Sequence, residues 1–478
     1  MTDHKVPFVV RGELVEGDDV VHSGPGFTFA TPDPAAVIAR IGCRPLDLAD
    51  LHDVSLDEIL DILVELGERL QLNRNAFIQE AFELSIVTSD LPERVLRTIY
   101  EEQLRLFFRR DILANTVDRR IGRAALEGWV GERGPDGRSI RVRAYGARVA
   151  HVIAGNTPGV AGITIARNAI TRGDAIIKTP RNDPLTAVAI ARTLIDMAPG
   201  HPVTRHVSAL YWRGGDDSVE AKVFSAATID KIVAWGGAPA IENAAKYVGP
   251  GVELIGLDPK RSLSFLGPQC LAPGESQRDA ARMLARDMGM FNQAGCVSAR
   301  VAYVRSDGQP NAAERLAQFA GLVYQELQEL PAGYSAPVTA LPAELNDRLD
   351  MALLLDDPVV VGGGTVNGGV LVSTDGTPVE WAEHLAARYV NLVLVDDFGP
   401  AVSQITSVVQ TVGVWPDDLR QAMRHPLALA GVQRVVTLGG ATNPYGNQAI
   451  PQDGIEVLRR MCRWIVDEQY PSALATTD

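Results

Sequence analysis

One cysteine stands in a context suited to covalent chemistry. In the stretch Met290-Phe-Asn-Gln-Ala-Gly-Cys-Val-Ser-Ala-Arg300, Cys296 follows a glycine and two amide side chains. A helical pattern, Glu275 to Gly289, precedes it, and a strand-like run, Arg300-Val-Ala-Tyr-Val304, follows it. A cysteine at such a junction can face a cleft with its backbone N–H turned the same way. A nucleophile that attacks a carbonyl needs that pairing of thiol and oxyanion donor. Cysteine is also a small hydrophobe in many cores, so the surrounding motifs have to decide.

A second set of chemically capable residues falls at regular positions upstream. Strands are expected at Val149–Ala154, Ala175–Thr179, His206–Trp212, Lys231–Ala234 and Val252–Ile255. Helical patterns separate them at Gly159–Arg172, Pro184–Met197, Ser218–Ala226 and Pro239–Val248. This alternation predicts an α/β fold with a doubly wound parallel sheet. Ligands of such sheets bind beyond the carboxyl ends of the strands. The residues there are Gly155-Asn156, Lys178, Arg213-Gly214-Gly215 and Trp235-Gly236-Gly237, with Glu253 inside the last strand. Amide, ammonium, glycines and carboxylate on one rim suit a nucleotide and a carbonyl. No GxGxxG follows the first strand, and the glycines also have a plain reading as turn residues.

Other elements position these. Residues 1 to about 50 read as short strands and turns. Ser55 to about Leu72 is an amphipathic helix opening on a capping box, Ser55-Leu-Asp-Glu58. A second helix is expected from Glu93 to about Ile112, its basic pair Arg109-Arg110 near the end suiting the helix dipole. Arg138–Tyr145 alternates polar and apolar residues, as an edge strand able to pair with another subunit does. Beyond 257 a second α/β region holds the cysteine stretch, a helix near Asn311–Glu329, an apolar run at Leu353–Gly363 and a strand Val390–Val395 ending in Asp396-Asp-Phe-Gly-Pro400. The tail, Ile455 to about Glu468, reads as an amphipathic helix. Four parts are expected: 1–130 as a scaffold belonging to the cofactor domain, 131–256 as a Rossmann-like domain with an oligomerisation strand near 138–150, 257–435 as the catalytic α/β domain carrying the cysteine, and 436–478 as a return and oligomerisation segment.

Length and composition set limits. The chain has 478 residues, 46% of them hydrophobic, and a formal charge of −14. That charge speaks against nucleic acid and anionic lipid as partners. The cysteines, Cys43, Cys270, Cys296 and Cys462, form no CxxC pair, which argues against a zinc site and fits a reducing cytoplasm. No signal-peptide pattern or membrane-length apolar run occurs, so a cytoplasmic protein is expected.

Taken in order, the motifs resemble those of the aldehyde dehydrogenase superfamily, and within it the acyl-CoA reductase branch typified by the long-chain acyl reductase of bacterial luminescence. The likeness runs from about Arg141 to the C-terminus. Asn156-Thr-Pro158 resembles the segment whose amide donates to the oxyanion, and Ile176-Ile-Lys-Thr-Pro180 the strand whose lysine holds the adenosine ribose. Asp230–Gly237 resembles the turn beside the nicotinamide, placing Gly236 and Gly237 against the cofactor, with Gly214 and Gly215 on the same rim. Val252-Glu-Leu-Ile-Gly256 resembles the segment carrying a general base, which would be Glu253. Phe291–Cys296 resembles the nucleophile segment. Asp396-Asp-Phe-Gly-Pro400 resembles a motif whose acid binds the nicotinamide ribose, so Asp396 and Phe398 are expected at the cofactor. Pro451-Gln-Asp-Gly454 and the Arg-Met-Cys-Arg-Trp run after it are similar to the close of the acyl reductase branch.

The resemblance implies an NADPH-dependent reduction of an acyl thioester to an aldehyde, with Cys296 as nucleophile, Asn156 on the oxyanion and no metal. The thioester would be carried by coenzyme A or an acyl-carrier protein, an acyl-transferring or acyl-activating protein would be a partner, and the chain would form a homodimer or homotetramer. NADPH follows from Arg181, which stands where the family often has a ribose-facing glutamate. Ile255 replaces a glycine of hydrolytic members, the span from Glu253 to Cys296 is longer than theirs, and Asp396 is shorter than the usual glutamate. The first two departures leave Glu253 open as a base or as a structural carboxylate. The alternatives are a hydrolytic NAD(P)-dependent aldehyde dehydrogenase, and a non-catalytic assembly subunit, which would need none of Asn156, Lys178 and Cys296.

Overall fold

The computed structural model describes residues 4–469 except 136, 356–357, 363 and 443–448. The chain forms two compact units. The first comprises Met1–Ser89, Ile99–Asp258 and Asn447–Asp478, and the second Asp90–Thr98 and Pro259–Gly446. The expected division at 256/257 stands two residues from this one, and the C-terminal segment returns to the first unit.

The first unit is built on a seven-stranded sheet. Its order is Glu253–Leu257, Lys231–Trp235, Arg148–Val152, Asp174–Lys178, Val207–Leu210, Phe8–Val10 and Glu13–Val15. The first five strands are parallel, and the two N-terminal ones complete an antiparallel edge. Helices such as Gly159–Ile170 and Thr186–Met197 follow the strands. Such strands are buried on both faces and so read as unbroken apolar runs. Ile176, Ile177, Ala209, Leu210, Ile232 and Val233 are all buried, each large one contributing roughly 1.5–3 kcal/mol. Chain order reverses between Arg148–Val152 and Lys231–Trp235, which makes a ligand-binding crevice at the carboxyl ends of these strands.

Helix Leu56–Arg69 begins where the capping pattern predicts: the Ser55 hydroxyl accepts the Glu58 N–H at 3.1 Å, and Ile59, Leu60, Leu63 and Leu66 turn inward. The expected helix from Glu93 to Ile112 is instead broken. Glu93–Thr98 passes through a π turn at Ile99–Gln103 and stops after Leu104–Leu106, and a new helix runs Arg110–Arg120. Arg109 and Arg110 therefore begin a helix rather than end one. Carboxylates answer their charge: Arg109 pairs with Asp111, and Arg110 with Asp57 and Asp61.

The tail is also corrected. Only Val457–Met461 is helical, and Arg463–Gln469 is a strand antiparallel to Ser139–Tyr145. Trp464, Ile465 and Val466 are strand formers, and pairing decides where a short amphipathic pattern is ambiguous. Ser139–Tyr145 is thus the middle strand of three, with Val130–Arg133 on its other side, and not an edge.

The second unit carries a seven-stranded sheet ordered Val359–Gly362, Gly369–Ser373, Tyr389–Val395, Ala299–Arg305, Arg261–Leu266, Val409–Trp415 and Arg434–Thr437. All neighbours are parallel except the first pair. Helices Glu275–Gly289 and Ala312–Gln328 pack Leu284, Met288, Phe319 and Val323 against it.

Candidate active site

Cys296 lies on a loop between helix Glu275–Gly289 and strand Ala299–Arg305. The loop starts under strain: Phe291, Asn292 and Gln293 have φ of 51°, 52° and 63°. Three successive left-handed residues without a glycine cost about 1–3 kcal/mol each and persist only where the surroundings over-determine them. The two amides supply that determination. Asn292 donates to the Ala336 carbonyl at 2.6 Å and accepts its N–H at 2.8 Å. Gln293 donates to the carbonyls of Ala299 and Tyr389 at 2.9 and 2.7 Å, and accepts the N–H groups of Arg388 and Tyr389, both at 3.0 Å. Both side chains are buried, so the amides beside the cysteine hold its loop and do not face a substrate.

Beyond this clamp the loop reaches solvent. Cys296 is exposed, whereas Cys43, Cys270 and Cys462 are buried. Burial pushes the thiols of Cys43 and Cys462 up to about 12 and raises Cys270 further, so none of the three ionises near neutrality. The Ser262 hydroxyl donates to the Cys296 carbonyl at 2.7 Å and accepts the Thr411 N–H at 3.2 Å, fixing the backbone at the sulfur. Two arginines absent from the sequence expectations stand near. Burial lowers the pKa of Arg300, and the negative charge of a Cys296 thiolate pulls it part of the way back. For Arg434 burial again dominates, opposed by Asp287 and then by Cys296. Both guanidinia carry the sign that a thiolate or an oxyanion attracts.

Cations gather in the first unit. Lys178 ends its strand, and with Arg181, Arg213, Tyr211 and His22 it lines a cavity of about 710 Å³. Burial raises the Tyr211 phenol, while Arg181 and Arg213 pull it down, which places both guanidinia close to that ring. Burial lowers Lys178 to about 8, Glu220 opposing it. Gly214 and Gly215 line the neighbouring cavity with Lys178. Gly215 has φ of +82°, a turn conformation that glycine adopts without strain. Gly236 and Gly237 follow strand Lys231–Trp235 and precede helix Ala238–Ala245. Asn156 is exposed past strand Arg148–Val152, with Gly155 packed so tightly on Asn182 that a Cβ would lie 1.8 Å from its Oδ1. These residues share the carboxyl rim of one parallel sheet.

Three expected site residues lie elsewhere. Glu253 begins its strand, in register with Lys231, which begins the neighbouring one. It is therefore at the amino edge of the sheet, opposite the rim of Lys178 and Gly236. Lys231 donates to it at 2.5 Å and Arg460 at 2.8 Å. Burial pushes its carboxyl up, but the hydrogen bonds and charges of Lys231 and Arg460 together hold it below its ordinary value, the reverse of what a base poised near neutrality needs. Asp396 and Phe398 follow strand Tyr389–Val395 at the carboxyl edge of the second unit's sheet, where the Ser306 hydroxyl donates to Asp396 at 2.6 Å. The Cys296 loop enters that sheet at its amino edge. Phe398 is buried, its ring 5.0 Å from that of Phe265. An Asp-Asp-Phe-Gly-Pro run that starts a short helix, Gly399–Ser403, matched the motif in letters but not in place.

Cys43, Asp174 and His206 form the one group among the described residues whose three potential metal-ligating atoms lie within 4.8 Å of one another. Arg11 donates to Asp174 at 2.9 Å and approaches His206 at 3.5 Å, so a guanidinium already supplies the positive charge there.

Comparison with known proteins decides the lineage. A family model described as acyl-CoA reductase (LuxC) matches residues 51–464. The chain belongs to this family. Reduction of an acyl thioester to an aldehyde is thereby its reaction class. The long-chain acyl-protein thioester reductase of Vibrio harveyi is 25% identical over 436 residues, covering 90% of this chain and 86% of that protein. That of Aliivibrio fischeri is 24% identical, with 97% and 93% covered. Among solved structures, the NADP-dependent glyceraldehyde-3-phosphate dehydrogenase of Bacillus halodurans C-125 matches with TM-score 0.70 at 15% identity, 97% of this chain and 99% of that one. An aldehyde dehydrogenase of Brucella melitensis biovar abortus 2308 matches with TM-score 0.71 at 14% identity, over 97% and 96%. This acyl-CoA reductase thus has the aldehyde dehydrogenase fold.

Proposed function

We propose that this acyl-CoA reductase uses NADPH and forms an S-acyl intermediate on Cys296. The observation that carries the reading is the exposed Cys296 on its clamped loop, near two guanidinia, while the other three cysteines are buried.

The Cys296 thiolate attacks the thioester carbonyl, and the carrier thiolate leaves as the new thioester forms. One thioester replaces another, so no strong base is required and none is assigned to Glu253. The Cys296 N–H and the Asn156 amide keep the oxyanion roles that the family resemblance gives them; one such donor is worth about 3 kcal/mol. A bound nicotinamide supplies the hydride. With one proton the S-acyl group becomes a thiohemiacetal, which collapses to aldehyde and returns the Cys296 thiol. The cavity of Lys178, Arg181 and Arg213 fits a phosphate-bearing cofactor in charge, since three cations without a lining carboxylate match an adenosine 2′-phosphate. The related reductases are named for acyl-protein substrates, which supports a protein-bound acyl donor beside acyl-CoA, and a partner that delivers it. A cytoplasmic homo-oligomer completes the reading; among the described residues no helix is long and apolar enough to cross a membrane. The hydrolytic alternative is weakened by Glu253, which is fixed between two cations.

The test is intact-mass spectrometry after mixing with acyl-CoA in the absence of NADPH. Wild type should gain one acyl group and release it as aldehyde when NADPH is added. Cys296→Ala should do neither. An adduct that persists on the alanine variant would falsify the assignment.

A further inference from the structure

Glu220 has no role in the reaction above, yet it is the most heavily engaged carboxylate near the cofactor cavities. It sits on helix Asp217–Val223 with 1% of its surface exposed. Trp212 Nε1 donates to it at 3.1 Å, the Gly215 N–H bridges both its oxygens at 3.3 Å, Asn243 Nδ2 donates at 2.7 Å and the Tyr247 hydroxyl at 3.5 Å. These donors come from the end of strand Val207–Leu210, from the glycine turn and from helix Ala238–Ala245 with the turn after it. One carboxylate therefore ties the end of strand Val207–Leu210, the glycine turn and helix Ala238–Ala245 together at the cavity that Lys178, Gly214 and Gly215 line.

Its charge has a counterpart. Lys178 faces the rings of Tyr211 and Trp212 at 5.8 and 5.6 Å, Arg181, Arg213 and His22 across one cavity, and Glu220, Glu242 and Lys246 across the other. Glu242 and Lys246 are exposed and of opposite sign, so they largely cancel. Arg181 and Arg213 repel an ammonium. Glu220 is the buried negative charge among these neighbours, and its attraction opposes the burial that brings Lys178 to about 8.

We propose that Glu220 is a positioning residue of the cofactor pocket: it fixes the Gly214-Gly215 turn and holds Lys178 in the charged form that binds phosphate. This rests on the pocket being the adenosine end of the nicotinamide site. Lys178 must be protonated to attract the cofactor, so affinity is full below its pKa and falls as pH rises through it. Removing the Glu220 charge moves that fall to lower pH.

The experiment is NADPH binding by cofactor fluorescence from pH 7 to 10, on the full-length protein. Wild-type affinity should hold to about pH 8 and then drop by up to about tenfold per pH unit. Glu220→Gln should start to drop earlier, leaving it about tenfold weaker than wild type at pH 8.5. Asn243→Ala loses one donor but keeps the charge; it should weaken binding evenly with the midpoint in place. Where Glu220→Gln does not fold, Glu220→Asp decides, because its shorter carboxylate stands farther from Lys178 and the midpoint should again fall. A midpoint unmoved in the Glu220 variant, or moved as far in Asn243→Ala, overturns the proposal. A wild type that binds no NADPH at any pH overturns the cofactor reading instead, and the two failures are distinct.

Discussion

At the scale of single residues, the proposed preference for NADPH rests on charge. Arg181 and Arg213 lie on one cavity with Lys178. A guanidinium matches phosphate oxygens, whereas a glutamate would accept from a free 2′-hydroxyl and repel the phosphate. Arg181→Glu should lower kcat/KM for NADPH by roughly ten- to a hundredfold, about 1.5–3 kcal/mol, and bring NADH level or ahead. Equal use of both cofactors by the wild type would sink this reading. The sequence singles out Arg181 by its place after the lysine, whereas Arg213 stands at a strand end with no partner in sequence to mark it; that both line one cavity with Lys178 is visible only in the fold. Glu253 teaches the opposite lesson. Its motif matched in letters, but a strand has two ends, and only the register with Lys231 shows which end it occupies. Glu253→Gln should keep thioester reduction within about threefold of wild type. The Glu253 side chain is 39% exposed, so the stability lost should be on the order of 1 kcal/mol. The depressed carboxyl pKa means that this contribution is present at neutral pH and disappears on acidification through that pKa. A hundredfold loss of kcat in steady-state assays would restore it as a base.

At the scale of elements, the alternation of strands and helices from 148 to 257 was readable because parallel strands are apolar throughout and the helices between them have the helical period. The cysteine loop was recognisable for its thiol, not for its geometry. No spacing rule predicts three left-handed residues in a row, or that Gln293 spans the starts of strands Ala299–Arg305 and Tyr389–Val395, which are almost a hundred residues apart in sequence. Tertiary hydrogen bonds impose that conformation, and local sequence does not encode it. Gln293→Leu keeps the volume but strands two buried N–H groups and two carbonyls. It should cost about 3–5 kcal/mol, lowering Tm by roughly 10 °C. Acylation of Cys296 should slow by more than NADPH binding weakens, because the loop carries the sulfur while the residues proposed to hold NADPH, Lys178, Arg181 and Arg213, stand in the other unit. Calorimetry and acyl-adduct kinetics check the two halves separately. Unchanged adduct formation would show that the strained turn does not position the thiol.

At the scale of the whole molecule, the sequence points to association through two pieces, Arg138–Tyr145 and the tail from Ile455, and of these only the tail supplies an edge strand. Alternation in Arg138–Tyr145 is real, yet Ser139–Tyr145 is paired on both sides and offers no open backbone. The C-terminal strand Arg463–Gln469 is one of the two outer strands. It leaves Ile465 42% and Val466 53% exposed, and Trp129 and Val130, at the opposite edge, are 40% and 44% exposed. An edge strand with exposed apolar residues is a template for another chain unless something covers it. Glu468 pairs with Arg138 of its own sheet, so this edge carries little net repulsion at that point. The whole chain, at −14, repels its copies at long range, and salt screens this within about 8–10 Å. Short-range burial of the strand therefore governs, and wild type should be at least a dimer at micromolar concentration in physiological salt, with multi-angle light scattering giving a mass of twice 51.4 kDa or more. Val466→Lys places a charge on the outer strand without touching a buried group, and should shift the mass toward the monomer while leaving Tm extrapolated to low protein concentration unchanged. A wild type that remains monomeric under these conditions rules out this edge as an interface.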